Sequence, residues 1–152
     1  MPKEHLSYDS IGTASSPATL TAAFSGNRQT HLSKFMHELH IDFQYTPKTG
    51  QTNRLLYILV EASNDNGTTW FPLSLRSNQT TESLVYTDDP AGANGIPFTI
   101  PGDKTSTGGT TLAGFLDVND FTAEKVRVSA KESGSANFGT VYIRTTLMSK
   151  SS

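Results

Sequence analysis

Apolar residues fall at every second position along several stretches of this 152-residue chain, and that period predicts β-strands. Leu39, Ile41, Phe43 and Tyr45 line one face of a run whose other face is His40, Asp42 and Gln44. Lys125 to Lys131 alternates strictly, with Val126, Val128 and Ala130 on the apolar side. Gly139 to Met148 repeats the pattern, setting Val141, Ile143, Thr145 and Leu147 against Tyr142, Arg144 and Thr146. These last two runs, joined by the Gly/Ser-rich stretch Glu132 to Asn137, are expected to pair as a terminal hairpin. Leu55 to Ala62 is apolar on both faces, which predicts a central strand covered on both sides. Further candidate strands are Ala18 to Phe24, Glu82 to Thr87, Leu112 to Val118, and Trp70 to Leu75, where Pro72 favours a sheet edge. Leu32 to His37 is expected to make one helical turn, and Phe121 to Glu124 a short turn.

The stretches between these runs set the organisation. Residues 1–17 are polar and Ser-rich, end at Pro17 and show no sustained period, so they are expected to be an extended N-terminal arm. Residues 18–148 form the domain and 149–152 a tail. Residues 88–111 are rich in Gly and Pro, with only Ile96 to Ile100 strand-like; a loop of that length in one domain is usually functional or docked on something. Strands about eight in number, with little helix and turn signals between them, give an all-β fold. The expected architecture is one antiparallel β-sandwich, jelly roll or immunoglobulin-like.

The turn Ser63-Asn64-Asp65-Asn66-Gly67-Thr68-Thr69-Trp70 is the most specific local signal. Asp65 is suited to accept hydrogen bonds from the backbone ahead of it, and Gly67 supplies a left-handed conformation. The pattern Ser-x-Asp-x-Gly-x-Thr-Trp resembles the Asp-box hairpin of sialidases. In that family the hairpin recurs over the blades of a propeller and sits away from the catalytic pocket. This chain has one copy and is too short for several blades. Arg28, Arg54, Arg76, Arg127 and Arg144 are scattered, with no motif tying them into a carboxylate-binding cluster. Ser63, Asp65, Gly67 and Trp70 are therefore read as a structural hairpin. Trp70 is expected to cover the end of the core, so its truncation to Ala is expected to cost about 3–5 kcal/mol.

The formal net charge is -2, and no basic block gives nucleic acid a footprint. Charged residues are few while Ser and Thr are abundant, a composition that suits solvated strand faces and surfaces that meet other protein copies. Without cysteine there is no disulfide, thiolate metal site or thiol nucleophile. Met1-Pro2-Lys3-Glu4-His5 lacks the apolar core of a signal peptide, and no apolar run reaches membrane-span length, so a soluble protein made in a cytosol is expected. Asn66-Gly67-Thr68 and Asn78-Gln79-Thr80 match the glycosylation acceptor and are read as turn composition.

Candidate chemistry is sparse. His31, His37 and His40 lie near one another in sequence, but His40 belongs to an alternating strand and no further ligand has metal spacing. No Gly-x-Ser-x-Gly elbow is present. Asp88-Asp89 would point apart on an extended chain, Asp103, Asp117 and Asp120 lack calcium-loop spacing, and Gly108-Gly109 lacks the lysine of a phosphate loop. Trp70, Phe71, Tyr57, Tyr86 and Tyr142 are the aromatics available for a sugar platform. No catalytic, cofactor-binding or metal-binding residue is assigned, and no enzymatic activity is expected.

The run Leu55 to Trp70, together with Val126 to Glu132 and Gly139 to Arg144, is similar to a theme in small virion proteins of tailed bacteriophages, in particular head decoration (cement) proteins. That resemblance implies a sandwich seated over junctions between major capsid protein subunits on the capsid surface. The arm and the long loop would reach onto neighbours, and many copies would act together by avidity. The expected partners are the major capsid protein and copies of this chain, as a trimer, with no cofactor, nucleic acid or membrane. A head–tail or tail adaptor and a carbohydrate-binding module are the alternatives.

Overall fold

The computed structural model describes residues 4–51, 54–73, 76–77, 87–88, 94–99, 111–118 and 120–149. The strands are β1 (His5–Ile11), β2 (Ala18–Thr19), β3 (Arg28–Leu32), β4 (Glu38–Thr46), β5 (Leu55–Ser63), β6 (Phe71–Pro72), β7 (Arg76–Ser77), β8 (Thr87–Asp88), β9 (Asn94–Thr99), β10 (Leu112–Val118), β11 (Lys125–Glu132) and β12 (Thr140–Met148). A 3₁₀ turn, Phe24–Gly26, precedes β3.

Two antiparallel sheets face each other. One runs β1-β12-β4-β10-β7, with β2 also on β12; the other runs β3-β11-β5-β9-β8, with β6 on β5. The principal strands change sheet at almost every step: β1, β4, β10 and β12 in one, β3, β5, β9 and β11 in the other. That interleaving is the double Greek key of a jelly roll, which resolves the choice left open by the sequence. It also corrects the expected terminal hairpin, because β11 pairs with β3 and β5 while β12 pairs with β1, β2 and β4. A period of two tells which side chains face the core. It does not tell from which side of the core they come.

The alternating faces are buried as their period demands. Leu39, Ile41, Phe43 and Tyr45 meet Val126, Val128 and Ala130, together with Val141, Ile143 and Leu147, in one core cluster. β5 lies between β11 and β9, with Leu56, Ile58, Val60 and Ala62 in the core and Leu59 also buried from its other face. At one end Glu132 is buried, accepts hydrogen bonds from the Tyr45 hydroxyl and from Gly139 N–H (3.0 Å), and lies 4.0 Å from Arg54. A Cβ at Gly139 would stand 2.4 Å from the carbonyl oxygen of Thr46, so this close approach admits only glycine.

Three local expectations are corrected. The supposed arm contains β1, an edge strand paired along β12 from His5↔Met148 to Ile11↔Ile143. Its period is broken by a bulge between Asp9 and Ile11, and Ser10 enters the interior on a hydrogen bond to Thr145 (2.6 Å), so no apolar alternation marks it. Ala18 to Phe24 is strand only at β2, after which Leu20 is buried and the chain turns. Leu32 to His37 closes a tight turn, with Met36 N–H bonded to Ser33 O (2.9 Å), in place of a helical turn. The strand expected at Glu82 to Thr87 lies outside the described residues except for Thr87 in β8, and the 88–111 loop lies outside them except at Asp88, β9 and Thr111.

Candidate functional site

Residues of β1, β12, β4 and β10 that do not enter the core form the outer face of the first sheet. Register places them in rows: Ser7, Thr146, His40 and Asp117; then Asp9, Arg144, Asp42 and Phe115; then Tyr142, Gln44 and Ala113. His40 is held on both ring nitrogens, Nδ1 by Asp117 Oδ1 (2.5 Å) and Nε2 by Asp42 Oδ1 (3.1 Å), with Phe115 5.4 Å away ring to ring. Burial works against the charged ring, but the hydrogen bonds to Asp117 and Asp42 and the charges of both outweigh it. The His40 pKa is raised as a result. The Tyr142 hydroxyl donates to Asp9 (2.6 Å), which raises the phenol pKa, with desolvation adding to the effect. An open groove of about 520 Å³ crosses this face, lined by Asp42, Gln44, Gly114, Phe115, Tyr142 and Arg144.

The Ser63–Trp70 turn sits beside the opposite sheet. Asp65 Oδ1 accepts from Thr69 N–H (2.8 Å), Thr68 N–H (3.1 Å) and the Ser63 hydroxyl (2.8 Å), and Ser63 Oγ accepts from Gly67 N–H (2.9 Å). The Thr69 backbone and side chain, then Ser63, hold the Asp65 carboxyl at about 2. Asn66 and Gly67 are both left-handed, with φ of 59° and 87°. Trp70 Nε1–H donates to Gly67 O (3.0 Å), and its ring lies 4.3 Å from the Arg127 guanidinium. Arg127 is bound in turn by both oxygens of Glu61 (2.8 and 3.1 Å). Ser63, Asp65, Gly67 and Trp70 thus meet in one turn. Trp70 is half-buried against Arg127 and stands outside the core cluster, which corrects its expected place over the end of the core.

The turn after β3 is a third feature, hidden in the sequence because the Leu32 to His37 pattern resembles a helical turn. Ser33 is fully buried with its hydroxyl on Ala123 O (2.8 Å), and Met36 is buried in the core. Between and beside these anchors, Leu32 is 70% exposed and Phe35 76% exposed. Phe35 also has a φ of 71°, a conformation that L-residues with bulky side chains rarely adopt.

The three clustered histidines separate. His37 Nδ1 lies 3.3 Å from Phe121 O, and His31 is buried between the edges β1 and β3, stacked on Tyr8 (4.5 Å) with Nε2 2.7 Å from Ser10 Oγ. Because the Ser10 hydroxyl donates to Thr145, His31 is the donor to Ser10, the reverse of a base activating a serine. Burial pushes the His31 pKa down. Among the described residues no group of three His, Asp or Glu side chains is placed to hold a metal ion.

The fold defines an antiparallel jelly-roll sandwich. No family model matches the chain, and no curated protein matches it. Among solved structures it is similar to the SPBc2 prophage-derived protein YomS, at 15% identity over 98% of this chain and 96% of that one, TM-score 0.49. It is also similar to the infectious bursal disease virus VP2 subviral particle, at 11% identity over 97% of this chain and 32% of that one, TM-score 0.39. A third is the CBM22-1 xylan-binding domain of Paenibacillus barcinonensis Xyn10C, at 12% identity over 97% of this chain and 95% of that one, TM-score 0.39. These are loose likenesses at low identity, and no function passes from them to this chain.

Proposed function

We propose that this protein is a non-enzymatic structural component of a virion, a decoration (cement) protein that docks over junctions of the major capsid protein. The observation that carries a docking role is the turn after β3. The fold gains nothing by holding two large apolar side chains in water on a turn anchored by buried Ser33 and Met36, and still less by straining one of them. Strain of this kind is retained where a contact uses it. The virion setting is supported by the sequence resemblance of the β5–β6 hairpin and of β11 and β12 to small phage virion proteins.

The mechanism is mechanical. Leu32 and Phe35 are the anchors of the contact, and Lys34 between them supplies a rim charge. Each contact is modest, and stabilisation of the particle comes from many copies. The test is co-sedimentation with capsids lacking this protein, with particle disruption followed on heating. Saturable binding that raises the disruption temperature, lost in a Leu32→Ser/Phe35→Ser variant that stays folded, is the expected result. Unaltered binding by that variant would remove the turn from the contact. Absence of binding to heads, with binding to connectors or tails, would make the protein an adaptor.

A further inference from the structure

We propose that the groove across β4, β10 and β12 binds a neutral oligosaccharide. The inference is independent of the capsid contact, which lies on the turn after β3. Shape comes first: the groove is open, about 520 Å³, and crosses strands, so it suits an extended ligand lying on a sheet better than a small molecule that must be enclosed. Its chemistry is mixed in the way a sugar requires. Phe115 is 37% exposed and Tyr142 is half-buried, which leaves apolar ring surface for the C–H face of a pyranose. Between them on β4 lie Asp42 and Gln44, in register with Phe115 and Tyr142 respectively. Asp42, Gln44 and Arg144 present planar acceptors and donors able to grip adjacent hydroxyls in pairs.

Charge narrows the class. Asp42 and Arg144 stand opposite one another on β4 and β12, so the lining holds one carboxylate and one guanidinium. A strongly anionic or cationic ligand would gain from one and lose to the other, whereas hydroxyls gain from both. The polar groups are also set in advance. Asp42 is held by His40, and Tyr142 by Asp9, so little side-chain freedom is lost on binding. The aromatic singled out in the sequence, Trp70, is occupied by Arg127 on the other sheet and takes no part.

The experiment is saturation-transfer NMR of the purified protein with xylotetraose, cellotetraose, maltotetraose and an N-acetyllactosamine oligomer, with sialyllactose and heparin tetrasaccharide as charged probes, followed by titration of each binder. The expected result is binding of at least one neutral probe, weakened about tenfold or more by Phe115→Ala and by Gln44→Ala and unchanged by Trp70→Ala. Gln44 is exposed, so its variant tests the site even if Phe115→Ala fails to fold. No binding of any neutral probe, binding of charged probes alone, or full affinity in Gln44→Ala would each overturn the assignment.

Discussion

Glu132 shows what one residue contributes here. It is a carboxylate fully inside the sandwich, matched by the Tyr45 hydroxyl and Gly139 N–H with Arg54 nearby. Removing it strands two buried donors, so Glu132→Ala should lower stability by about 3 kcal/mol in urea unfolding, whereas Tyr45→Phe should cost about 1 kcal/mol. His40 makes a prediction about pH. Its folded pKa is raised above the ordinary 6.5, so its contribution is full below that value and is lost as pH rises through the folded pKa. The stability gap between the wild type and His40→Gln should therefore narrow on going from mildly acidic to alkaline buffer, with the His40 ring signals in NMR titrating at the same pH. A gap that does not change with pH would mean that the two aspartates do not hold the charged ring.

At the scale of elements, β1 and the β5–β6 hairpin behave differently from their appearance in sequence. β1 covers the edge of β12 and brings Ser10 onto Thr145 and His31. Deleting residues 1–11 should thus leave a chain without cooperative unfolding by circular dichroism, where an arm would have been dispensable. The hairpin is the reverse case. Its turn is closed by Ser63 and Asp65 and tied to residues 122–124 through Ser63, Asn64 and Asn66, and Trp70 is half-buried over Arg127. Trp70→Ala should cost about 1–2 kcal/mol, less than a core tryptophan would. Thermal unfolding of that variant measures the difference directly.

The whole molecule sets a closely packed sandwich against a turn strained at Phe35, the proposed capsid contact. Phe35→Gly relieves the left-handed backbone and removes the apolar ring together. It should leave unfolding stability equal or higher by up to about 1 kcal/mol while weakening binding to capsids. A variant that is destabilised and still binds would place the function of Phe35 in the fold. The proposed glycan groove and the proposed capsid contact use different residues, so one protein can hold a particle together through its turn and offer its outer sheet to other ligands.

Much of this was legible in the chain because side-chain period is a local property. Leu39 to Tyr45, Val126 to Ala130 and Val141 to Leu147 showed their buried faces, and Asp65 and Gly67 showed their turn, since each depends on neighbours a few positions away. Tertiary structure decided the rest. Which sheet each strand joins depends on long-range pairing, so β11 and β12 look like a hairpin in sequence and lie in opposite sheets. β1 is hidden because a bulge and a buried serine replace its apolar alternation. The groove brings together residues of β4, β10 and β12 that are up to about a hundred positions apart, and no local pattern marks a surface made by registering three strands side by side.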